Sequence, residues 1–242
     1  MVTGGGTGTG RAISLAFASE GAAVAINYSR SREEAEATAA EIARSGTAGL
    51  ALKADVSNDS EVRDMIGRVI RELGRLDILV NCAGYTSFVN HRHLEGITDE
   101  VWYKTLDVNL RGVFLCSRAA IPKMKENAQG CIINIVGTAG LTGLGSSIVY
   151  CASKAGILSL TRSMAIAFAP EIQVNAISPG IIEDTRWSRG QEQFKDTGRA
   201  LTPMGRLARV SDIAEAVLYV AAGSHFLTGQ NIVIDGGRVI HH

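Results

Sequence analysis

Thr3-Gly4-Gly5-Gly6-Thr7-Gly8-Thr9-Gly10 runs directly into an apolar-periodic stretch that starts at Arg11. Glycines at these positions let the backbone turn sharply and approach a ligand closely. A helix starting there aims free N–H groups and the positive end of its dipole at whatever fills the turn. That chemistry suits the pyrophosphate of a dinucleotide. A glycine cluster alone serves any tight turn, so its position carries the weight. A strand remnant precedes it, a helix follows, and a cofactor-discriminating segment comes about twenty residues later.

Outside the turn, apolar runs at 22–28, 49–54, 77–82, 131–136, 173–178 and 231–235 alternate with helical patterns. The helices are expected at 10–20, 32–45, 60–73, 101–126, 148–169 and 210–222. Alternation of this kind builds βαβ units, and dense rather than alternating apolar strands imply a parallel sheet covered on both faces. Ser31-Arg32-Glu33-Glu34 reads as a capping box for the second helix, while Ser57-Asn58-Asp59-Ser60 and Ser211-Asp212 are further start signals. Two segments, 85–99 and 180–209, break the rhythm. Each follows a strand's carboxyl end, where ligands bind in open α/β sheets, so both are candidate substrate walls, the second as a lid; the alternative is surface loop. Trp187 and Phe194 line that lid or anchor it.

The chain has 242 residues and a formal net charge of zero, from 24 basic and 24 acidic side chains. One large domain, 1–242, accounts for that length. No basic stripe offers a footprint for nucleic acid, and no apolar run is long enough for a membrane span. A cytoplasmic location is the default. Cys82, Cys116, Cys131 and Cys151 lack C-x-x-C spacing and sit in apolar runs, which argues against a disulfide framework or a zinc site. His91 and His93 have no further ligands nearby and read as solvent- or substrate-facing, so no metal is expected. His241-His242 reads as a tag remnant.

The turn T-G-x-x-x-G-x-G, Asn81-Cys82-Ala83-Gly84, Val108-Asn109, Tyr150-Cys151-Ala152-Ser153-Lys154, Pro179-Gly180 and Asp235-Gly236-Gly237 occur in this order. In this the chain resembles the short-chain dehydrogenase/reductase family over nearly its entire length, in the 3-oxoacyl reductase-like branch. Cys82 stands where the family's N-N-A-G segment has its second Asn. The resemblance implies an α/β, three-layer Rossmann fold with a doubly wound, seven-stranded parallel sheet. It implies cofactor contacts from Gly4, Gly6, Thr7, Gly8, Thr9 and Gly10 at the phosphates, and from Asp55 and Val56 beside the adenine. Asn81, Ala83, Gly84, Pro179, Gly180 and Ile182 complete the nicotinamide side. It also implies a homotetramer built through the helices at 101–126 and 148–169.

Tyr150 and Lys154, four residues apart, share a helical face. Interconverting a carbonyl and an alcohol needs a proton donor or acceptor at the oxygen while hydride moves at carbon. A tyrosine near pKa 10 is a sluggish base. An ammonium about 4 Å away contributes roughly 4 kcal/mol at an effective dielectric of ~20, enough to lower the phenol by a few pKa units. By itself such a pair is an ordinary amphipathic surface pair; after a glycine-rich turn the catalytic reading prevails. The resemblance implies that Lys154 also holds the nicotinamide ribose and that Asn109 supports a water relay behind it. As a bare residue, Asn109 is also compatible with a polar kink in a helix.

One departure stands out. The family has a serine thirteen residues before the tyrosine, and that count reaches Gly137. Thr138 is the nearest substitute, with Ser146 and Ser147 as others. Loss of one such donor lowers a rate by about 10²–10³, so the expectation is a slow oxidoreductase on a small free carbonyl, alcohol or sugar-like polyol. Glu126 and Glu171 appear where a basic surface for an acidic carrier protein is expected. A catalytically impaired dinucleotide-binding sensor or partner subunit is the alternative, and Gly137 is its main support.

For the cofactor, positions 27–30 hold no acid to take ribose hydroxyls, whereas Tyr28, Ser29 and Arg30 offer a hydroxyl and a guanidinium for a 2′-phosphate. NADP is favoured, with NAD possible and Arg30 as a mere helix-start charge the plain alternative. Only Met1 and Val2 precede the turn, too few for the central first strand. Its neighbours are therefore expected to lose ladder partners, and the polypeptide is expected to begin several residues earlier.

Overall fold

A computed structural model describes all residues except Ala128, Asp184, Arg186, Trp187, Arg189, Gln191, Ser224, His241 and His242. Trp187 and the His241-His242 pair therefore lie outside the described residues. Among the described residues six parallel strands form, β1 (Val24–Tyr28), β2 (Gly49–Lys53), β3 (Ile78–Asn81), β4 (Gly130–Ile135), β5 (Ile172–Pro179) and β6 (Asn231–Ile234). All six expected runs are strands, shifted by a residue or two at their ends. Val2 bridges Ile26 of β1 and Val80 of β3, so the sheet reads β2-β1-Val2-β3-β4-β5-β6. A single residue fills the seventh, central place.

The expected loss of ladder partners is therefore only partial. Val2 donates to Ala25 O at 2.9 Å and accepts from Asn27 N at 3.0 Å, and Thr3 N donates to Val80 O at 2.9 Å. Met1 N donates to Ile78 O at 2.7 Å.

Helices cover both faces. On one, α1 (Gly8–Ser19), α2 (Arg32–Arg44) and α9 (Val210–Ala222) pack Ile13, Phe17, Ile42, Ile213 and Val217 against the sheet. On the other, α3 (Asp59–Leu73), α5 (Gly112–Lys125) and α7 (Ile148–Phe168) bury Met65, Leu115, Met124 and Met164. The three-layer, doubly wound arrangement follows. The sheet winds outward in opposite directions from Val2, and such a switch point opens a crevice at the strands' carboxyl ends.

Local signals are met unevenly. The Asn58 side chain caps α3, accepting from Ser60 N and Glu61 N. Asp212 accepts from Arg209 N at 2.7 Å at the start of α9. Ser31 occupies the N-cap of α2 but makes no side-chain cap, which corrects the expected capping box. The single helix expected at 101–126 is instead α4 (Asp99–Leu106), a π turn at Asp107–Arg111, and α5. The extra residue per turn lets Asn109 reach sideways between elements, and such bulges cluster at functional sites. The 180–209 segment contains α8 (Glu192–Ala200), only nine residues and too short for its period to show in sequence. A four-residue helix, α6 (Ala139–Thr142), precedes α7.

Candidate active site

A cavity of about 1750 Å³ opens at the carboxyl ends of the strands and runs from the glycine turn to α8. At its inner end lies the N-terminus of α1, whose N-cap residue, Thr7, makes no side-chain cap. Gly8 has φ +50°, and a Cβ there would point into open space. Gly10 packs so tightly that a Cβ would lie 2.3 Å from Gly4 O. The turn is thus pressed against the protein on one side and leaves an uncapped anion cradle on the other, which fits a pyrophosphate.

Tertiary bonds hold the cradle. Thr3 Oγ1 accepts from Cys82 N at 2.9 Å and Ala83 N at 3.0 Å, tying the loop after β3 to the turn. Asn27, buried, accepts from Gly4 N at 3.3 Å and donates to Ala54 O at 2.9 Å. Asp55 is fixed by Ser57, whose hydroxyl donates to it at 2.6 Å.

Of the expected cofactor contacts, Gly4, Thr7, Gly8, Thr9, Gly10, Tyr28, Ser29, Arg30, Asp55, Val56, Ala83, Gly84, Tyr150, Lys154, Pro179, Gly180 and Ile182 all line this cavity. Gly6 and Asn81 do not. A Cβ on Gly6 would lie 2.7 Å from Ala35 Cα, so Gly6 faces α2. Asn81 is buried behind the wall, where its amide donates to Asn134 Oδ1 at 2.9 Å and to Ser117 Oγ at 3.3 Å. Lys53, beside Tyr28 in the β1–β2 register, is a lining residue that the sequence reading missed; the pairing of parallel strands was the available signal. Arg238 and Val239 also line the cavity, and no local pattern announced them.

Tyr150 and Lys154 come together at the cavity's centre. Lys154 Nζ lies 5.6 Å from the Tyr150 ring centroid and donates to Ile135 O at 3.0 Å. Burial lowers the Lys154 ammonium to about 8, opposed weakly by the Cys82 thiol. Burial also pushes the Tyr150 phenol above its ordinary value, and the Cys151 and Cys82 thiols add to this. Desolvation of the phenolate is the largest influence on it in the chain by itself. Cys82 itself is pushed up to about 11 by burial.

Asn109 sits behind the cavity rather than on it. Its amide donates to Tyr85 O and Ser153 Oγ, both at 3.0 Å, and its oxygen accepts from Tyr85 N at 2.7 Å. Ser153 in turn donates to Tyr150 O at 2.7 Å, so Asn109 joins the loop after β3 to the helix carrying Tyr150.

Gly137 and Thr138 both line the cavity. Gly137 has φ +109°, a conformation that L side chains rarely adopt. Among the described residues the Thr138 hydroxyl has no hydrogen-bond partner, while its N–H donates to Pro179 O at 2.9 Å. Ser147 is committed to capping α7 through Tyr150 N, and Ser146 bonds Thr86. His91 accompanies them at the mouth, its Nε2 3.0 Å from Gly145 O.

The four cysteines are free thiols. Among the described residues no group of acids, cysteines and histidines could hold a metal, and no helix is long and apolar enough to cross a membrane.

The family model described as Enoyl-(Acyl carrier protein) reductase matches residues 4–238. The chain is 34% identical over 188 residues to a 3-oxoacyl-(acyl-carrier-protein) reductase of Thermotoga maritima, covering 77% of this chain and 75% of that protein. It is 37% identical over 203 residues to the BbsD subunit of a hydroxy(phenyl)methylsuccinyl-CoA dehydrogenase of Thauera aromatica, covering 83% and 80%. A short-chain type dehydrogenase/reductase from Mycobacterium marinum superposes with a TM-score of 0.90 at 35% identity, covering 98% of this chain and 94% of that one. With the strand order, the glycine turn and these relatives in agreement, the chain belongs to the short-chain dehydrogenase/reductase family, 3-oxoacyl reductase-like, and is an NAD(P)-dependent oxidoreductase acting on CH–OH groups.

Proposed function

We propose that the protein interconverts a small free carbonyl compound and its alcohol, with Tyr150 as the acid/base and Lys154 as its electrostatic partner. The observation that carries this reading is that both side chains line the same cavity as the uncapped glycine turn. A bound nicotinamide dinucleotide supplies or accepts the hydride. Because burial keeps the phenol protonated, Tyr150 donates its proton to the carbonyl oxygen in reduction and takes it back in oxidation. Lys154, still largely charged at neutral pH, stabilises negative charge growing on that oxygen and phenol. Asn109 holds Tyr150's helix in register through Ser153. The Thr138 hydroxyl stands in for the serine that Gly137 replaces, at reduced efficiency.

NADP is the preferred form in this reading. Ser29, Arg30 and Lys53 cluster at the adenosine end with no carboxylate at positions 27–30. A carrier-bound substrate fits less well, since Lys123 pairs with Glu126 at 2.8 Å and Lys125 lies 3.6 Å from Glu171. Exposed Ile166, Phe114 and Ile148 on α7 and α5 support a homotetramer built on those helices. Four free thiols suit a reducing, cytoplasmic setting.

The test follows NADPH absorbance against a panel of ketones and NADP⁺ reduction against alcohols. Turnover that disappears in Tyr150→Phe, with cofactor affinity retained, is the expected result. Gly137 favours a second reading, a dinucleotide-binding sensor or partner subunit, and cofactor binding without turnover on any substrate would select it.

A further inference from the structure

We propose that Arg238 anchors a carboxylate of the substrate, so that the enzyme acts on an oxo or hydroxy acid with an apolar body. The inference rests on the reading of the cavity's outer end as the substrate site. Arg238 lines that cavity, half-buried, and among the described residues its guanidinium makes one hydrogen bond, Nη1 to Gly198 O at 3.3 Å. Among the described residues it has no acid partner. Two acids near it in the fold are already engaged. Asp235 accepts from Gly237 N at 2.9 Å and Val239 N at 2.7 Å, and Glu183 pairs with Arg199. A half-buried guanidinium without a counter-charge forgoes hydration and keeps most of its planar fork of donors open, the geometry that takes a carboxylate through two parallel bonds.

Its position is fixed by the backbone. The Asp235 carboxylate closes the turn at 235–239, Gly236 O accepts from Met204 N at 3.2 Å, and a Cβ on Gly180 would lie 2.9 Å from Asp235 Cβ. The turn thus packs on the Pro179–Gly180 end of β5, on the same side as the reacting pair. Phe88, Leu144, Phe194 and Leu201 supply apolar lining for the rest of the substrate.

The experiment compares aliphatic oxo acids, from 2-oxo to 5-oxo, with their methyl esters, using wild type, Arg238→Gln and Arg238→Lys with saturating NADPH. Wild type is expected to prefer at least one acid over its ester by tenfold or more in kcat/KM. Arg238→Gln should lose 10- to 100-fold on that acid, mainly through KM, with ester turnover and NADPH affinity unchanged and partial rescue by Arg238→Lys. An equal loss on acid and ester, a weakened NADPH affinity, or a wild-type preference for esters would overturn the assignment. Ester turnover with no acid preference would leave the oxidoreductase reading intact and remove only the anchor. If neither class turns over, calorimetric titration of hexanoate and hexanamide into the NADP⁺-loaded protein decides. Binding of hexanoate that Arg238→Gln abolishes supports the anchor, and equal or no binding of the two overturns it.

Discussion

Lys154→Met should stabilise the protein while abolishing its activity. The Lys154 ammonium falls from 10.5 to about 8 because burial strips its water. At ~1.4 kcal/mol per pKa unit, keeping it charged at pH 7 costs about 3 kcal/mol. Methionine fills a similar volume without that charge but forfeits the bond to Ile135 O, worth about 1 kcal/mol net. The balance favours the variant by about 2 kcal/mol, or ~4–8 °C in Tm for a chain of 242 residues. The sign can be checked through pH. Between pH 8 and 10.5 the unfolded chain holds this proton more firmly than the native protein, so wild-type stability gains on the variant as pH rises through that window. Cys116 and Cys131, pushed up by burial, act the other way above pH 9, but in both proteins, and so cancel in the comparison. Differential scanning calorimetry of the cofactor-free proteins at pH 7 and pH 10 measures both quantities. A variant that melts at or below wild type at pH 7, or a gap unchanged by pH, would refute the desolvation argument.

Other substitutions probe other parts of the site. Thr138→Ala should lower kcat by about tenfold, less than the ~10²–10³ of a fully placed donor, with little change in NADPH affinity if its hydroxyl steadies the substrate oxygen, as single-turnover kinetics would reveal. Gly137→Ser has room, since a Cβ there meets only Pro179 O at 3.9 Å, but φ +109° should make it about 1–3 kcal/mol less stable by urea denaturation. Its rate is expected to rise only if the strained serine reaches the carbonyl. Gly10→Ala would drive a Cβ to 2.3 Å from Gly4 O, so cofactor affinity by fluorescence titration should fall at least tenfold. Replacing Arg30 and Lys53 together by Ala should raise the Kd for NADPH about tenfold or more and leave that for NADH nearly unchanged, measured by the same titration.

The strands, the glycine turn before α1 and the alternation that builds a parallel sheet were legible in the chain because each depends on local period or on residues adjacent in sequence. Tyr150 and Lys154 were legible for the same reason, being one helical turn apart. What lay beyond reach depended on packing between distant segments. The π turn that aims Asn109 at Tyr85 and Ser153, the absent cap at Ser31 and the short α8 carry no distinct periodic signal. Asn81 followed the expected motif yet faces Asn134 and Ser117, because its side chain lies inside the sheet's cover. The surroundings of the reacting pair were decided by tertiary structure alone. Spacing put an ammonium near a phenol and pointed to the field between them, but folding buried the ammonium and half-buried the phenol, which adds a desolvation cost that no sequence spacing encodes.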